Sequence, residues 1–129
     1  MIHRLSGIAL GLAIAIAIMI SAEAIGYNLF GLGVGPDGAV PAGPPPTGVR
    51  ISILLGLFLA ALAGGYAAIR LSRAPWTTWV IGVVILMAVV LRFALAPGPL
   101  RTLAIGAVAP LLGAWIGQLL AKRSSRPAD

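Results

Sequence analysis

Four stretches of this chain are too long and too apolar for a chain of 129 residues to hide in a soluble core. From Ile8 to Ile20 every residue is isoleucine, alanine, leucine, glycine or methionine. Residues 13–18 alternate with period two, as a strand would, but a lone strand cannot satisfy its backbone in lipid. Length therefore overrides the local period, and this segment reads as a helix over about 5–28, its apolar character carrying on to Phe30. Three more follow, at about 51–69, 77–96 and 102–121. At 1.5 Å per residue each reaches across a hydrocarbon core of about 30 Å. Composition agrees: 60% of residues are hydrophobic and 9% charged, where soluble domains carry roughly a quarter charged. The expected fold is a single all-α membrane domain, a bundle of four transmembrane helices with no room for a soluble domain.

Prolines and glycines punctuate the chain. Pro75 suits the first turn of the third segment, and Pro97 and Pro99 end it. Pro110 lies inside the fourth segment and should free the Gly106 carbonyl and kink the helix. The stretch 31–50 is rich in glycine and proline, with Pro44, Pro45 and Pro46 consecutive, and reads as an irregular extramembrane connector. Its Gly31, Gly33 and Gly35 lack the strand and lysine that a phosphate loop needs.

The charges are few enough to follow one by one. With four spans, Arg4, Arg70, Arg73, Lys122, Arg123 and Arg126 share one side, and Arg50 and Arg101 the other. Positive residues mark cytoplasmic loops, so both termini are expected in the cytoplasm, with Trp76 and Trp79 in the aromatic belt of that side. The net charge of +6 is thus topological, and without a basic stripe or stacking aromatics it does not point to nucleic acid. Ala22-Glu23-Ala24 resembles a signal-peptidase site, but the segment continues apolar to Phe30, and a retained span is expected. Cysteine is absent and His3 is the only histidine, so no thiol chemistry, histidine cage or other metal site is expected. The acids Glu23, Asp37 and Asp129 fall in different segments, which argues against paired carboxylates. With no nucleophile–base set, neither an enzyme nor a cofactor is expected.

Small residues recur at helical spacing: Gly7, Gly11 and Ala15; Gly56, Ala60, Gly64 and Ala68; Gly113, Gly117 and Ala121. Such stripes let helix backbones approach in lipid. Packing within the bundle is the plainer expectation, and a homodimer face on the second segment the sharper one.

Topology leaves Glu23 and Arg92 unexplained. Glu23 lies about 27 Å along the helix from Leu5, in the outer part of the span. Arg92 sits five residues before Pro97, at similar depth. A Glu23–Arg92 pair is expected, with the Tyr27 hydroxyl one turn away as a third member. A pair that fixes packing, or two side chains snorkelling apart, is the structural reading; a substrate or proton site is the functional one.

The order of these features resembles a group of small, uncharacterised four-helix inner-membrane proteins of bacteria. In that group the first helix ends in a Glu-Ala-Leu-Gly-His type stretch before a Pro-rich loop. The second ends in a Gly-Gly pair, the third in Pro-His-Pro, and the fourth holds an internal Leu-Pro. The matching stretches are Glu23-Ala24-Ile25-Gly26-Tyr27, Gly64-Gly65-Tyr66, Pro97-Gly98-Pro99 and Pro110. Tyr27 and Gly98 stand where the group has histidines. The resemblance implies fold and a bacterial inner-membrane location, without an activity. Locally, Ala22-Glu23-Ala24-Ile25-Gly26 resembles the first-helix motif of the small multidrug resistance transporters, which implies proton-coupled transport through Glu23. Those transporters have a short first loop and a deeper glutamate, and Arg92 would repel a cationic substrate. The expected role is therefore non-enzymatic, structural or accessory, with lipid and either a second copy or a membrane complex as partners.

Overall fold

A computed structural model describes residues 2–30, 47–95 and 100–124. These residues form four helices: α1 (Ile2–Phe30), α2 (Thr47–Ser72), α3 (Thr77–Leu95) and α4 (Leu100–Ser124). Each is long and apolar enough to cross a membrane. Helix α2 starts four residues before the expected Ile51, so Thr47–Arg50 are helical and do not belong to the connector. The reason is packing: Val49 is fully buried, and Gly48 lies against the Phe30 ring. The rest of the connector, with its five prolines, lies outside the described residues, as do Pro97 and Pro99.

The bundle is built around α2, which touches all three other helices, while α1 and α4 do not meet among the described residues. Helices α1 and α2 are antiparallel, and their small residues interlock along the whole length. Gly7 lies against Ala68 and Ser72, Gly11 against Gly64, Gly56 against Ala22, and Gly26 against Ser52. A Cβ placed on Gly11 would stand 2.5 Å from the Gly64 carbonyl oxygen, and one on Gly64 2.6 Å from that of Gly11. Only glycine permits this approach of two backbones. Helices α2 and α4 run parallel, with Gly113 against the Phe58 carbonyl and Gly117 against that of Leu62. All three predicted stripes are thus buried inside the chain, and that of the second segment faces α1.

The core is correspondingly made of small side chains: Ala15, Ala60, Ala61 and Ala68, with Leu57, Ile81 and Ile85. Ile81 is the largest fully buried residue and reaches both Gly11 and Gly64. The large apolar side chains point outward instead, among them Ile16, Ile20, Met87, Leu95 and Leu112. An exterior this apolar suits lipid and would associate in water.

The α2–α3 turn is held by hydroxyls. Arg73 adopts a left-handed backbone (φ 56°) and its amide donates to the Ile69 carbonyl at 2.7 Å, ending α2. The Ala74 amide donates to Ser72 Oγ, which lies 3.0 Å from Thr77 Oγ1, and Thr77 Oγ1 in turn donates to the Ala74 carbonyl. Pro75 sits in this turn, ahead of the helix start at Thr77. One residue on, Thr78 Oγ1 donates to the Ala114 carbonyl of α4. Helix α4 is continuous through Pro110, which is fully buried.

Candidate functional site

The arrangement that topology does not require is at the end of the bundle opposite the α2–α3 turn. Helices α1 and α3 run parallel, so residues at equal distance from their midpoints share a depth. Glu23 lies seven residues past the middle of α1 and Arg92 six past the middle of α3, about 10 Å and 9 Å along the axis. The register agrees lower down, where Ile81 meets Gly11.

At that level Arg92 Nη2 donates to Glu23 Oε1 at 2.7 Å. This is the length of a charge-assisted bond, stronger than a neutral one. The pair is not enclosed by protein: the Arg92 side chain is 56% exposed and that of Glu23 35%. It therefore lies on the outer surface of the bundle, where α1 meets α3. In water such a pair contributes up to about 1 kcal/mol. Facing lipid, leaving either member alone is costlier, because a lone charge in the apolar layer costs roughly 3 kcal/mol at the centre of a span and less toward its ends.

Tyr27, expected as a third member, is 42% exposed, and the hydrogen bond at this site runs between Arg92 and Glu23 without it. A different hydroxyl braces the site. Ser52 Oγ on α2 donates to the Ala22 carbonyl at 2.7 Å, one residue before Glu23, and its Cβ fills the space beside Gly26. Helix α1 is thereby fixed to α2 by Ser52 and to α3 by Arg92 within one turn. Ser52 carries no signal in the sequence beyond being a short polar residue in an apolar span. On the exposed side, Asn28 Nδ2 returns to the Ala24 carbonyl of its own helix.

The pair lines neither of the two cavities described here. One, of about 510 Å³, lies at the other end of the bundle. The second, of about 400 Å³, is an apolar groove between α2 and α4, lined by residues such as Leu54, Phe58 and Val108. Among the described residues no three histidine, cysteine or acidic side chains cluster as a metal site would require. No family model matches the chain, and no curated protein or solved structure does either.

Proposed function

We propose that this chain is a multi-pass protein of the bacterial inner membrane with both termini in the cytoplasm. On this reading it is non-enzymatic, a structural or accessory element, and the Glu23–Arg92 pair is a permanent tie between α1 and α3. The observation that carries the tie is the 2.7 Å contact itself. Each charge is compensated by the other, so neither needs a substrate, and the short bond matches two residues placed at one depth by parallel helices. A transport carboxylate has to exchange partners in every cycle; this one has a partner from its own chain.

Charge reversal tests it. Glu23→Arg and Arg92→Glu should each lower the unfolding temperature in mild detergent, and the double reversal should recover most of the loss. A double variant as unstable as the single ones removes the tie. The alternative, a small proton-coupled transporter acting through Glu23, predicts uptake of a lipophilic cation into proteoliposomes under a pH gradient, abolished by Glu23→Gln; the structural reading predicts none. Orientation is tested separately, since the chain contains no cysteine. Thr47→Cys should react with an impermeant maleimide in intact spheroplasts, and Ser124→Cys only in inverted vesicles.

A further inference from the structure

The 510 Å³ cavity at the turn end is a cleft between the last turns of α2 and α4, roofed by the α2–α3 turn. Arg70, Arg73 and Lys122 line it, together with Gln118, Ile69 and Pro75. Basic residues at helix C-termini commonly offset the helix dipole, and that accounts for charge here but not for a cavity. Three further observations bear on what this cleft is suited to hold. Two of its basic residues stand on different backbone: Arg70 is in the last turn of α2, whereas Arg73 occupies the left-handed position that ends that helix. The roofing turn is braced, because Ser72 and Thr77 are buried and bonded to each other. Gln118 is oriented by Trp79, whose Nε1 donates to Gln118 Oε1 at 3.2 Å, and this leaves the amide nitrogen as a donor. No carboxylate lines the cleft among the described residues.

Guanidinium forks and an amide donor match the chemistry of a phosphate group, and a cleft of about 510 Å³ has room for more than the phosphate alone. The surroundings give its source. Trp76, Trp79 and Leu71 are exposed beside the basic residues, an apolar and aromatic rim such as proteins present at the level of lipid headgroups. We propose that this cleft binds the phosphate-bearing headgroup of an anionic phospholipid, with Arg70 and Arg73 as the principal ligands and Gln118 as a neutral donor. The proposal rests on the membrane reading above but not on the Glu23–Arg92 tie, so charge reversal and lipid binding can fail independently.

The test uses the full chain in mild detergent, titrated with phosphatidylglycerol, phosphatidylcholine or inorganic phosphate, and read by thermal unfolding and by native mass spectrometry of retained lipid. Phosphatidylglycerol should raise the unfolding temperature and be retained, and phosphatidylcholine should do neither. Replacing both arginines (Arg70→Gln with Arg73→Gln) should weaken the preference about 25-fold, taking each cation near a membrane surface as roughly fivefold. Arg50→Gln with Arg101→Gln, at the opposite end of the bundle, removes the same two charges, should leave the preference unchanged and controls for net charge. Equal stabilisation by the two lipids overturns the proposal, as does a preference that survives the double replacement. If inorganic phosphate alone reproduces the full effect, the lipid assignment is wrong.

Discussion

Replacing Gly11 with alanine tests whether the bundle depends on backbone contact between α1 and α2. The added Cβ would stand 2.5 Å from the Gly64 carbonyl oxygen, against an ordinary contact of at least 3.4 Å. The helices must separate locally by about 0.9 Å, because the obstacle is backbone and cannot rotate away. Overpacking of this kind costs about 1–3 kcal/mol. Alanine also returns up to about 1 kcal/mol of helix propensity. At Gly11 the clash wins, and a net loss of about 1–2 kcal/mol is expected. Gly106→Ala is the contrast: its Cβ would meet Val89 Cγ1 at 3.2 Å, a side chain and not backbone, so a shift of a few tenths of an ångström suffices and the cost should be clearly smaller than at Gly11. Gly64→Ala should behave like Gly11→Ala. Because separating the helices for one substitution relieves the other, the double variant should cost clearly less than the sum. Equilibrium unfolding in mixed detergent micelles measures all four variants. If Gly11→Ala and Gly64→Ala are as well tolerated as Gly106→Ala, or if their costs simply add, the contact does not hold the hairpin.

Three other outcomes can be checked with the same preparation. Thr78→Val keeps the shape of the side chain but loses the bond to the Ala114 carbonyl, and should cost about 1 kcal/mol. Arg73→Gly releases a non-glycine residue from a left-handed backbone and should stabilise the turn by about 1 kcal/mol, while lowering the phosphatidylglycerol preference. A rise in stability with the preference intact would separate Arg73 from the cleft. Intact-mass measurement of the membrane-extracted protein should show the first 24 residues retained; a species lighter by about two kilodaltons would mean cleavage after Ala24.

Much of the bundle is legible in the sequence because lipid allows one solution to an apolar run of about twenty residues. The start of α2 is not, since Thr47-Gly48-Val49-Arg50 looks like the polar tail of the preceding connector; what makes it helical is Val49 and Gly48 packing against neighbours far away in sequence. The approach of Glu23 to Arg92 follows from counting residues along two parallel helices. The stripes of small residues announce close packing but not the partner: nothing in the spacing of Gly113 and Gly117 says that they meet α2 in parallel, or that α4 does not meet α1 among the described residues. The hydroxyls of Ser52, Ser72 and Thr78 are the least legible. A short polar side chain in a helix can always satisfy itself on its own backbone, so its reach to another helix is visible only in the fold.

The separation of 69 residues between Glu23 and Arg92 sets an order of events during synthesis. The glycine contacts between the backbones of α1 and α2 all lie within residues 7–72, so that hairpin can begin to form while α3 is still being made, before Ile81 packs on Gly11 and Gly64. At about 5–20 residues per second, the carboxylate waits roughly 3–14 seconds for its guanidinium. A charge stranded at the centre of the hydrocarbon layer for that long would tend to pull the first helix back out. If α1 is centred in the membrane as proposed, Glu23, about 10 Å past the middle of that helix, can reach the headgroups meanwhile. The position of Glu23 thus suits an unfinished protein as well as the finished one.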